Sequence, residues 1–116
     1  MRTWLRLMEI VVFSLIAAAA VASISAAAHD AQALFEQRCA ACHGSSGMGD
    51  GPAAAALQPP PQPFPTSLKG KTDAWIAQII SKGGAAMGLP PSMPAFSSLK
   101  DDQVKELVAY VKGLGH

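Results

Sequence analysis

The chain is poor in charge, in aromatic residues and in cysteine. Asp, Glu, Lys and Arg make up 15% of its 116 residues and sum to a formal net charge of +1. Aromatic residues are 6%, and there are two cysteines. Glycine and proline are missing before residue 44, although ten glycines and nine prolines follow. Each scarcity excludes something. Without a basic stripe the chain cannot hold a phosphate backbone, so nucleic acid is not its partner. It has no acidic tail either. No segment alternates with the period of a strand, which argues against a sheet. A multidomain enzyme is excluded by length.

The hydrophobic content of 50% joins two different quantities. Residues 1–28 hold 21 hydrophobic residues, and the other 88 hold 37. Arg2 and Arg6 precede an apolar run from Ile10 to Ala22, and small residues follow up to Ala26-Ala27-Ala28. This is the layout of a secretory signal peptide; cleavage after Ala28 would start the mature chain at His29, and other A-x-A triplets such as Ala20-Val21-Ala22 could also serve. The rival is an uncleaved anchor over residues 10–28, near the roughly 20 residues that cross a bilayer. Either reading puts residues 29–116 outside the cytoplasm as one domain. That domain balances Arg38 and six lysines against seven carboxylates.

Three helical segments are predicted in the domain, which makes it all-α with long loops. The first runs into the cysteines, with Leu34 and Phe35 facing inward. The second covers Thr72 to Lys82, capped by Thr72 or Asp73 and stopped by Gly83-Gly84. Its apolar face is Trp75, Ile76, Ile79 and Ile80. The third covers Asp101 to Lys112, with Val104, Leu107, Val108 and Val111 at i, i+3, i+4 and i+7. Between them lie a glycine-rich turn, Gly44 to Gly51, and the stretch Pro59 to Pro65. The proline stretch is expected to be extended polyproline II. Gly70-Lys71-Thr72 lacks the first glycine of a phosphate-binding loop and is set aside.

Cys39 and Cys42 are followed directly by His43. A disulfide between them would close a very tight loop and stabilise little. A thioredoxin-type motif expects βαβ surroundings, and structural zinc needs four ligands. The pattern that remains is C-x-x-C-H, the attachment signal for c-type haem. Its spacing lets two thiols reach the vinyl groups on one porphyrin edge, while the adjacent histidine is placed under the iron. The cofactor expected is therefore one haem c. A second haem is excluded by the cysteine count.

Iron held by His43 keeps a sixth position open. Met93 lies in Leu89-Pro90-Pro91-Ser92-Met93-Pro94-Ala95-Phe96, where prolines on both sides reduce the entropy lost when the sulfur is fixed. Met87 and Met48 are the alternatives. Met87 sits in a flexible Gly-Gly-Ala-Ala stretch, and Met48 lies close to His43 in sequence. A thioether ligand would favour ferrous iron and close it to substrates.

These residues resemble the class I cytochromes c, the small bacterial monohaem type, and the cytochrome domains attached to some oxidases and reductases. The likeness covers most of residues 31–114. Cys39-Ala40-Ala41-Cys42-His43-Gly44 with Gly47 to Ala54 resembles their opening. Met93-Pro94-Ala95-Phe96 is similar to their distal loop, and Leu107 to Val111 to their last helix. The resemblance implies the cytochrome c fold, with Phe35 and Tyr110 crossing between the first and last helices. It also implies that the Pro52 carbonyl accepts the other N–H of His43, which would tune the iron. Lys100 stands where the family has Ser or Thr, so Asp101 is the expected cap of the last helix.

The reading is a periplasmic one-electron carrier rather than an enzyme. It would be a monomer that docks transiently with redox proteins at the haem edge and meets the membrane only if the leader is retained. The alternatives are a tethered subunit of an oxidoreductase complex, or a haem enzyme or sensor with a labile sixth ligand. Cys39→Ala or Cys42→Ala is expected to lose covalent haem attachment, read as haem released from the denatured chain.

Overall fold

The structure, a computed structural model, describes residues 26–115. The chain divides into two compact units, Met1–Asp30 and Ala31–His116. The expected leader, apart from residues 26–28, lies outside the described residues. Among the described residues no helix is long and apolar enough to cross a membrane.

All regular structure among the described residues is helical. Helix α1 covers residues 26–38. Helix α2 is the single turn Ala40–His43, and a 3-10 turn follows at Ala54–Ala56. Helix α3 is Phe64–Ser67, α4 is Asp73–Ala86 and α5 is Asp101–Leu114. The expected all-α fold is therefore the observed one.

Helical periodicity accounts for the core. Ile76, Ile79 and Ile80 bury one face of α4, and Val104, Leu107, Val108 and Val111 bury one face of α5. The two faces join Phe35 of α1, Ala40 of α2 and Phe64 of α3 in one cluster. Phe35 is fully buried. Its ring meets Tyr110 at 5.3 Å between centroids and Phe64 at 6.1 Å. The expected crossing of the first and last helices is thus formed by Phe35 and Tyr110. An ion pair from Lys112 Nζ to Asp73 Oδ1, 2.5 Å, ties the last turn of α5 to the first turn of α4. The core holds no buried polar or charged side chain among the described residues.

Helix ends follow local chemistry. Thr72 caps α4, its Oγ1 accepting the N–H of Trp75 at 3.1 Å. Helical geometry breaks at Gly83, where the expected stop was placed, and one further turn runs on to Ala86. Two expectations need correcting. Asp101 does not cap α5. The cap position is Lys100, whose N–H donates to Gln103 Oε1 at 3.0 Å, so the third helical residue reaches back in place of a hydroxyl side chain. The extended stretch also ends early, at Pro63, and Phe64–Ser67 form a helical turn. Pro65 is compatible with that turn because the first turn of a helix needs no donor from it.

Leu107 is 1% exposed at the centre of this cluster. Leu107→Ala is expected to destabilise the holoprotein by about 2–5 kcal/mol, measured as a lower denaturant midpoint at unchanged slope.

Candidate functional site

A cavity of about 550 Å³ opens beside the core. Phe35 lines it from α1, Cys39 from the cap of α2, Cys42 and His43 from α2, and Phe64 from α3. Ile76, Ile79 and Ile80 line it from α4, Met93, Pro94 and Phe96 from the following loop, and Leu107 and Val111 from α5. Four of the residues singled out in the sequence, Cys39, Cys42, His43 and Met93, therefore meet around one space.

Backbone bonding sets the cysteines and the histidine. Cys39 N–H donates to Phe35 O at 2.8 Å, continuing α1 into the motif. The N–H groups of Cys42 and His43 both donate to Cys39 O, at 3.2 and 2.9 Å. That turn places residues three apart on the same side, so both thiols face the cavity. They are free and half-buried. Desolvation, with a smaller contribution from the charge of Cys42, pushes the Cys39 thiol up to about 11. Burial lowers the pKa of His43 below the ordinary histidine value. Its ring is neutral at pH 7, which is the form that ligates a metal.

The histidine ring is held from one side by Phe64, at 5.0 Å between centroids. Phe64 is fixed in turn by its N–H, which donates to Gly47 O at 2.8 Å. Gly47 has φ of 71°, and a Cβ there would lie 2.8 Å from Phe64 Cε2. The glycine-rich turn thus comes close enough to wedge the ring that supports His43.

The bond expected from His43 to the Pro52 carbonyl is not formed. His43 Nδ1 is buried and has no hydrogen-bond partner, and Pro52 is exposed. The turn around Pro52 is tied to the motif instead, through Gly51 N–H to Cys42 O at 3.3 Å and Ala53 N–H to Ala41 O at 2.8 Å.

The structure separates the three candidate methionines. Met93 is half-buried and lines the cavity. Met87 packs against the core but does not line the cavity. Met48 is 46% exposed and lies off it.

Sequence reasoning missed part of the lining. Arg38 and Lys71 are its charged members, and among the described residues no carboxylate lines the cavity. Lys71 Nζ lies 4.5 Å from the centroid of the Trp75 ring, a cation–π contact at the start of α4. The four-residue spacing of Lys71 and Trp75 was the available signal. Pro59, Pro60, Leu89 and Pro90 are exposed residues of the same lining.

The cavity suits the cofactor that the motif implies. Its volume falls in the range of about 300–1,000 Å³ that cofactor sites occupy. The lining is mainly apolar and presents two thiols, one neutral imidazole with an unpartnered nitrogen and one thioether. That is the donor set of c-type haem. The two lining cations would complement the carboxylates of a haem.

Comparison with known proteins agrees. The family model described as Cytochrome c matches residues 28–115. The subunit CcoP of a Cbb3-type cytochrome c oxidase from Azospirillum brasilense is 34% identical over 92 residues, which is 78% of this chain and 30% of that protein. The chain therefore spans less than a third of that relative's length. No solved structure gives a significant match. Because the family match takes in all but the last residue of the helical unit, the chain belongs to the cytochrome c family, carries covalent haem c and transfers electrons.

Proposed function

We propose that the protein is an exported one-electron carrier with His43 and Met93 as the axial ligands of its haem and Cys39 and Cys42 as the thioether attachments. The observation that carries this reading is the convergence of these four side chains on one cavity, with Met93 the lone cavity-lining methionine among the described residues. When bound, the haem supplies one-electron iron chemistry. The chain's residues make that chemistry fast and selective. His43 would hold the iron through a ring whose charged form burial disfavours and whose orientation Phe64 supports. Met93 would offer the iron a soft thioether, which favours the ferrous state. His43 and Met93 would hold the iron on both sides of a one-electron exchange, in which an electron would come from a donor protein and pass to an acceptor.

The docking face in this reading is the cavity mouth. Pro59, Pro60, Leu89 and Pro90 give it an exposed apolar rim, and Arg38 stands beside Cys39. Such a face suits weak, salt-sensitive encounters with redox proteins. The leader layout supports a periplasmic location.

A second reading is favoured by the relative named above, which is a subunit of an oxidase. In it, the same domain is held in an oxidoreductase complex by a retained leader. The intact mass of the native protein separates the two. A chain that begins at His29 and carries one haem is expected for the diffusing carrier, and a mass that includes residues 1–28 overturns it.

Axial ligation has its own test. Met93→Ala is expected to keep covalent haem, lose the weak ferric iron–thioether charge-transfer band, become high-spin and bind carbon monoxide rapidly when reduced. Unchanged ligation in that variant would move the ligand to another methionine.

A further inference from the structure

The two glycines near the end of α4 lie directly under the loop that carries Met93. Gly83 is buried, with φ of 77° and ψ of 172°. Glycine alone readily occupies that region of backbone space. A Cβ on Gly83 would lie 2.8 Å from Ala95 N, 2.9 Å from Met93 O and 3.0 Å from the Pro94 carbonyl carbon. Gly84 is also buried but has an ordinary φ. A Cβ there would run into the Pro90 carbonyl oxygen and lie 3.7 Å from Met93 Cβ. Every close neighbour except Met93 Cβ is backbone, which cannot rotate aside as the end of a side chain can.

Hydrogen bonds fasten the loop to the same place. Gly84 N–H donates to Met93 O at 3.0 Å, and Gly84 O accepts from Leu89 N–H at 3.0 Å. Phe96 N–H donates to Ile80 O at 3.0 Å. The loop is thereby pinned before, at and after Met93 to the last turns of α4. Pro90, Pro91 and Pro94 stiffen the intervening backbone. A displacement at residues 93–95 is therefore passed along the loop rather than absorbed by it.

We infer that Gly83 and Gly84 are positioning residues for the Met93 sulfur, forming a seat without side chains that sets how far the thioether reaches into the cavity. This rests on Met93 being the distal ligand. A methyl group at either position lifts the loop and weakens or breaks the sulfur–iron bond, while haem attachment through Cys39 and Cys42, remote in sequence at the cap and in the turn of α2, is kept.

The test uses holoprotein variants Gly83→Ala and Gly84→Ala. Met93→Ala is the reference, and Gly113→Ala is the control, because a Cβ on that α5 glycine meets open space. Four quantities are read: covalent haem content, the ferric charge-transfer band, the midpoint potential and the rate of carbon monoxide binding to the reduced protein. Gly83→Ala and Gly84→Ala are expected to keep haem, weaken or lose the band and lower the potential. Their carbon monoxide rate should rise about tenfold or more as the open fraction of the site grows. Gly113→Ala should match the wild type.

Wild-type band, potential and rate in both glycine variants would overturn the inference, because the flexible methionine side chain would then have taken up the shift. If Gly83→Ala does not accumulate, Gly84→Ala decides, since it adds the contact without the backbone strain. The wild-type holoprotein gives an independent reading by hydrogen exchange. When imidazole displaces the sulfur, protection of the Gly84 and Phe96 amides should fall while that of His43 stays, and unchanged protection of all three counts against the seat. Retention of the band in Met93→Ala overturns the distal-ligand reading itself. Loss of it there, with glycine variants like the wild type, overturns the seat alone.

Discussion

A small helical unit that closes around a cavity of about 550 Å³ must satisfy one constraint before any other: the apolar walls have to face something that is not water. The side chains that line the space are also members of the core. Phe35, Phe64, Ile76, Ile79, Ile80, Leu107 and Val111 belong to both. Core and cofactor site are thus one surface, and burying the walls against a large apolar ring system is part of folding. This explains how a chain with 37 hydrophobic residues in positions 29–116 and so many glycines and prolines can hold a defined structure. Covalent attachment makes the missing part of the core permanent.

Most of the fold could be read from periodicity, because α4 and α5 each bury one regular stripe. The attachment motif could be read from spacing alone, since a helical turn brings residues three apart to one side. Loop detail was less legible. The Pro59 to Pro65 stretch contains a turn, α3, because proline is as acceptable in a first helical turn as in an extended chain, and composition does not choose between them. The real work of that turn is done by Phe64, which supports His43. Its partner, Gly47, lies 17 residues away and left no periodic trace. The cap of α5 was misplaced for a similar reason. Asp101 is a good cap by residue type, but Gln103 reaches back to Lys100 from inside the helix.

The two walls of the cavity are organised by different means. On the side of His43, a helical turn, a glycine-rich loop and an aromatic ring follow in sequence order, and the ring of Phe64 is fixed by Gly47 of that loop. On the side of Met93, the loop has no helix of its own and relies on backbone bonds to α4. Phe35 and Tyr110 join α1 to α5, and the Lys112–Asp73 ion pair joins α5 to α4, so the walls are connected through the helices behind them.

The absence of buried polar or charged side chains from the core bears on electron transfer itself. When the charge at the centre of a protein changes by one unit, every nearby dipole that can turn will turn, and that motion sets much of the activation barrier. Here the buried core is aliphatic and aromatic, the cations Arg38 and Lys71 of the cavity lining are exposed, and the one buried side-chain nitrogen or oxygen without a partner among the described residues is His43 Nδ1. An interior with few movable dipoles responds little to oxidation or reduction.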